Sequence, residues 1–146
     1  MLKLNQALAN DHAAANAIRD VRAQLAGIQQ RFAGRPENPA LVQAAALDAK
    51  LGPLLQTFYQ YRAHAEEAML NYPSELNSQL AYLELGVDSA DSAPTAQQQS
   101  MYTTLRAQLD AALAQWTALR DGEITRFNER MQQAGFGAVN AARSSP

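Results

Sequence analysis

The sequence predicts an all-α fold, an antiparallel bundle of three long helices and one shorter helix. Three observations carry this expectation. Apolar residues recur at alternating three- and four-residue steps over long stretches, which is the period of one helix face. Val and Ile are scarce and no run alternates apolar with polar, so strands have no signal. Much of the 47% hydrophobic share is Ala, which favours helix and lets helices approach closely. A chain of 146 residues fits one domain and is long enough for a core without staples. That domain is expected over 1–137, with 138–146 a frayed, flexible tail.

The first helix is expected over 2–33. Its stripe is Leu4, Ala7, Asp11, Ala14, Ile18, Val21, Leu25, Ile28 and Phe32, in strict alternation like a coiled-coil seam. Asp11 interrupts it. A polar residue on a seam can fix register, and near a helix end it can equally face water. Gly34 suits a left-handed helix cap. Asn38 is an N-cap candidate, with Pro39 at the first helical position, where its missing N–H costs nothing. A link this short makes the first two helices antiparallel neighbours.

The second helix is expected over 39–70, on a stripe of Leu47, Leu51, Leu54, Phe58, Tyr61, Ala65 and Ala68. Pro53 inside it removes a backbone bond and crowds the preceding turn, so a kink is expected near 50–53 without a break. Asn71-Tyr72-Pro73 reads as a turn. A shorter helix follows over 73–85, with Leu76, Leu80, Leu83 and Val87 on one face and Gly86 ending it. Up-down packing is the economical arrangement for such rods.

The helix over 95–134 is the longest unbroken pattern. Pro94 disfavours helix before it. Thr95 and Gln98 form a capping box. Tyr102, Leu105, Leu109, Ala112, Trp116 and Leu119 make its stripe, which then skips five residues to Ile124, Phe127 and Met131. Gly122 lies in the skipped stretch and costs roughly 1 kcal/mol against Ala. A slight kink or a rotated face is expected there, and Gly135 and Gly137 stop the helix.

Charge excludes some functions. The net charge is −2, with 12 basic and 14 acidic residues. A nucleic-acid groove needs a basic stripe. Arg120, Arg126 and Arg130 have Asp121, Glu123 and Glu129 interleaved with them, the pattern of a solvated face with local ion pairs. There is no Cys, so disulfides and thiolate metal sites are excluded. No apolar run is long enough for a membrane span or a signal segment. Met1 leading straight into an amphipathic pattern fits a cytoplasmic protein, and fits equally an excised domain.

No constellation specifies a reaction, and neither an enzyme nor a cofactor or metal is expected. A metal site of the ferritin type needs E-x-x-H pairs on facing helices. Ala9 and Tyr61 stand three residues before His12 and His64, and both His read as surface residues. No nucleophile elbow, P-loop or dinucleotide fingerprint occurs. The candidate interaction surface is aromatic: Tyr72, Tyr82 and Tyr102, expected to gather at one end of the bundle, and Trp116. Each has a packing reading beside it. For Trp116 this is a core anchor whose indole N–H reaches a partner at the rim.

The run Asn71-Tyr72-Pro73-Ser74-Glu75-Leu76, then Leu80-Ala81-Tyr82-Leu83, then Val87-Asp88-Ser89-Ala90-Asp91-Ser92-Ala93-Pro94-Thr95 resembles a family. It is similar to the C-terminal helical region of bacterial multi-bladed β-propeller proteins with Asp-box (BNR) repeats, related to the sortilin propellers. Trp116 and the closing stretch from Asn128 to Gly135 fit the same pattern, as do Leu2-Lys3-Leu4-Asn5 and Ile18-Arg19-Asp20-Val21-Arg22 in the first helix. The matching motifs are caps and core positions. The Asp-box repeat itself, S-x-D-x-G-x-x-W, is absent, so no glycoside chemistry transfers. The resemblance implies a non-catalytic module of a larger exported protein, periplasmic or extracellular, whose partner is the parent propeller or a second copy. The other expectation is a free-standing cytoplasmic adaptor or regulator that dimerises along the first helix.

Overall fold

A computed structural model describes residues 2–58, 76–90 and 92–141. Every regular element among them is helical: α1 (Leu2–Arg31), α2 (Pro39–Phe58), α3 (Leu76–Asp88), α4 (Ala96–Ala118), a π-helical segment (Leu119–Ile124) and α5 (Thr125–Gln133). Tyr59, Tyr61, His64, Ala65 and Ala68, with the expected Asn71-Tyr72-Pro73 turn, lie outside the described residues, as do 142–146.

The α1 stripe is buried along its whole length, from Leu4 to Phe32, including Asp11. Leu25, in the C-terminal half of α1, has no exposed surface. The seam is therefore filled by this chain's own helices. It is not a free surface for the dimer expected along the first helix, because the same apolar atoms cannot pack twice.

After Arg31 the backbone closes in turns, with Phe32 N–H donating to Ile28 and Arg35 N–H to Phe32. Gly34 is not left-handed; Gly135 is the only residue with positive φ among those described. The Asn38 cap forms as its sequence predicts, its Oδ1 accepting from Ala40 N–H at 2.9 Å. From there α2 runs without a break through Pro53.

The pairings fix the directions. Arg22 of α1 meets Asp48 of α2 at 2.8 Å, so α2 returns along the C-terminal half of α1. Asn77 of α3 reaches Asp11 at 3.3 Å, and Leu83 and Val87 share a hollow with Lys3 and Leu4. Thus α3 also runs antiparallel to α1, along its N-terminal half. Strict up-down alternation would have set α3 parallel to α1. At 1.5 Å per residue, α1 spans roughly 45 Å, and the described part of α2 covers only part of that length. Tyr102 Oη of α4 donates to the Lys3 carbonyl, and Gln24 bonds Asn140 near the C-terminus, so α4 and α5 run parallel to α1.

Two ends differ from expectation. Gly86 does not stop α3; the helix continues to Asp88 and closes with Ser89 N–H on Leu85. The chain beyond 137 is not all frayed. Val139 is buried and Asn140 is bonded to Gln24, because polar side chains capture this backbone in place of a helix.

The skipped step in the last stripe has a definite cause. Between Leu119 and Ile124 the backbone is π-helical, which adds one residue to a turn and lets a five-residue step keep both ends on one face. Thr125 Oγ1 donates to the carbonyl of Arg120, five residues back, at 3.1 Å. The core then continues through Ile124, Phe127 and Met131. At the start of α4 the capping box is complete, with Gln98 N–H donating to Thr95 Oγ1 and Thr95 N–H to Gln98 Oε1. At the end of α5, Gly135 N–H donates to Gln132 and Phe136 N–H to Met131, a Schellman closure that needs the left-handed glycine at φ 80°. It brings Phe136 edge-on to Phe32, with ring centroids 4.9 Å apart.

Candidate functional site

The structure separates the four aromatic candidates. Tyr72 lies outside the described residues. Trp116 is fully buried in the core and is no part of a surface. Its bulk acts as the anchor, as one reading of the sequence had it, but its indole N–H has no hydrogen-bond partner among the described residues. The step of 14 residues from Tyr102 also sets it about 20 Å along α4 from that tyrosine.

Tyr82 and Tyr102 do share one end of the molecule. Here the last turns of α3 lie against the first turns of α4, beside the N-terminus of α1. Tyr102 is half-buried, its hydroxyl bonded to the Lys3 carbonyl at 3.3 Å. It walls a hollow of ≈ 550 Å³ together with Leu4, Leu83, Val87 and Gln98. Tyr82 lies on the other side of Leu83, 74% exposed, over a second groove of ≈ 540 Å³ lined by Leu85, Gly86, Gln97, Gln98 and Met101. Leu85 is 70% exposed and Met101 36%. No charged side chain lines this second groove.

Local sequence explains the exposure. Leu76, Leu80 and Leu83 take the inward face of α3 and are buried, so Leu85 falls off that stripe and points outward. Met101 stands beside Tyr102 in the same way. Neither residue is aromatic; the signal that marks an unpartnered face is apolar residues off the buried stripe that form one contiguous patch.

Elsewhere the chemistry is sparse. Lys50 and Glu123 pair at 2.7 Å beside Arg126 and Arg130, over a groove floored by Leu47 and Phe127. This is the interleaved charge pattern of the last helix. His12 is exposed. No three of His, Asp and Glu come together as a metal-binding group among the described residues.

Asp11 is the exception. It has no exposed surface, and Asn77 Nδ2 donates to its Oδ2 at 3.3 Å. Its Oδ1 has no partner among the described residues. Burial raises its pKa from 3.8 to about 7, against a smaller lowering by the Asn77 bond. A carboxyl held this way packs against α3 and spaces the seam.

Among the described residues the regular elements are all helical, and an apolar outer groove lined by no charged side chain lies between α3 and α4. No family model matches the chain, and neither the curated proteins nor the solved structures contain a match.

Proposed function

We propose that this chain is a non-catalytic helical protein-interaction module, its long helices packed as an antiparallel bundle, serving as the C-terminal accessory domain of a larger exported β-propeller protein. The observation that supports an interaction role is the α3–α4 groove, where Tyr82, Leu85 and Met101 stand exposed with no charge between them. Interface cores are depleted of charge and enriched in Tyr and Met. The propeller association rests on the resemblance of the stretch from Asn71 to Thr95, within which Tyr82, Leu83, Leu85, Gly86 and Ser89 line that groove. A free-standing adaptor is the second reading, and the groove supports it equally.

The mass of the native protein in extracts of its source, detected with an antibody to this segment, separates them. A band far larger than 15.9 kDa supports the accessory domain. A band at that mass overturns it in favour of the adaptor.

A further inference from the structure

We infer that the groove between α2 and α5 binds a small organic dianion, a phosphate monoester or a dicarboxylate. It lies roughly 30 Å along the α4–α5 rod from the α3–α4 groove. The inference therefore goes beyond the interaction reading and does not depend on it.

Register builds the groove. Because α2 runs antiparallel to α5, Lys50 stands opposite Glu123 at one end and Gln43 opposite Arg130 at the other. On each helix these ends are about 10 Å apart. The Lys50–Glu123 pair, at 2.7 Å, crosses from one helix to the other at the first end. Leu47 and Phe127 form the floor of a cleft of ≈ 340 Å³. Small-molecule sites begin at about 300 Å³, so a compact ligand fills this one.

Charge sets the ligand's sign. The interleaved acids of the last helix do not neutralise the cleft. Asp121 is bonded to Arg120 at 2.9 Å, and Glu123 is taken by Lys50. Arg126 and Arg130 are left exposed, with no ion pair among the described residues. They stand one helical turn apart on one face, where like charges repel. From α2 the cleft receives only neutral Gln43, Ala46 and Leu47 and the cationic Lys50. Three cations thus meet one carboxylate, on a chain whose net charge is −2.

The donors set its chemistry. A guanidinium forks onto two oxygens of a carboxylate or phosphate in parallel bonds. A ligand with two negative charges satisfies Arg126 and Arg130 together and removes their repulsion. Its apolar body rests on Leu47 and Phe127 between the two helices. For a ligand of this size a dissociation constant of roughly 10⁻⁴ to 10⁻³ M follows.

The test is a titration of the full chain, followed by backbone amide shifts, with phenyl phosphate and separately with benzene-1,3-dicarboxylate. Each runs from about 0.05 to about 10 mM, a range that brackets this constant. Chloride is held at about 0.15 M, so that diffuse attraction is screened beyond about 8 Å. Saturable shifts confined to 43–50 and 123–130 are expected from at least one of the two, and the one that saturates names the source of the charge. Inorganic phosphate, which has no apolar body, is expected to bind at least ~5-fold more weakly. Arg126→Gln and Arg130→Gln, at exposed positions, are expected to keep their helical circular dichroism and each to weaken binding at least ~10-fold. Arg106→Gln removes a charge that is paired with Asp110 on α4 and is expected to leave binding unchanged. The absence of saturation with both ligands overturns the site. So does binding that both groove variants leave intact, or that Arg106→Gln weakens as much as they do, because the anion then reads only the charge of the surface. Inorganic phosphate bound as tightly as phenyl phosphate overturns the organic ligand.

Discussion

At the scale of single residues, the two polar side chains that matter most are Asp11 and Asn128, and they act in opposite senses. Asp11 is buried where its charged form is disfavoured, with a pKa raised to about 7 from 3.8. A carboxyl whose folded pKa is raised binds more protons folded than unfolded, so its stabilisation is fully present below about pH 4 and is lost as pH rises through about 7. The gap between those two values bounds the loss at about 4 kcal/mol. Asp11→Asn keeps a side-chain oxygen for the Asn77 amide and cannot ionise. Its unfolding free energy in urea should match the parent near pH 4 and exceed it by about 2–4 kcal/mol at pH 8; parallel curves would show that Asp11 is solvated. Asn128 is a fastener. Its Nδ2 donates to the Val139 carbonyl at 2.8 Å and its Oδ1 accepts from Val139 N–H at 2.7 Å, so one amide holds both backbone groups of a residue eleven positions on. Asn128→Ala should cost about 1–3 kcal/mol and free the amides near Val139 to exchange. Unchanged protection of the Val139 amide would refute the clamp. The amide of Asn128 stands in the closing motif read from the sequence, yet its role was not legible there, because its target is backbone whose own sequence has no pattern.

Among the elements, the π-helical segment decides how α4 and α5 can belong to one rod. A strict α-helix turns 100° per residue, so the step from Leu119 to Ile124 would have carried Ile124, Phe127 and Met131 off the core. The extra residue absorbs that rotation. Deleting Gly122 should therefore convert the segment to plain α-helix with the stripe still in phase. The variant should stay folded, within about 1 kcal/mol of the parent, since the deletion also removes the worst helix former of the segment. Deleting the exposed Ala111 instead rotates everything beyond it by about 100°, takes Trp116 off the core, and should abolish cooperative melting. Equal damage from the two deletions would refute the register argument. This contrast also shows what the sequence could tell. The α1 stripe was readable residue by residue because a helical period registers burial directly, and Asn38, Thr95 and Gln98 were readable because caps are local chemistry. The five-residue skip announced an irregularity and not its form. Whether Gly34 or Gly86 ends a helix was not legible, because packing beyond the glycine can override its propensity. The candidate face was half legible. Tyr82 and Tyr102 were marked as aromatics, but Trp116 belongs to the core, and Leu85 and Met101 gain meaning only once the inward faces of α3 and α4 are known.

For the whole molecule, α1 is the shared wall. Helices α2, α3 and α4 each pack on it, and the buried residues of all of them form one hydrophobic cluster with the Ile124–Met131 stretch and Val139. None of these helices can keep its apolar face covered once α1 leaves, and single helices of such length are marginal in water. The chain should accordingly unfold in one step. It carries its own reporter, since Trp116 is the sole Trp and lies deep in that cluster. Trp fluorescence, which reads the core beside α4, and far-UV circular dichroism, which reads every helix, should give coincident urea transitions. Leu25→Asp puts a charge at a fully buried position in the C-terminal half of α1 and should remove both signals together, with a loss above about 4 kcal/mol. Two separated transitions, with helix lost before the Trp signal, would mean that α3 detaches on its own. The apolar groove would then be a site that opens with its helix, not a face held rigid by the core.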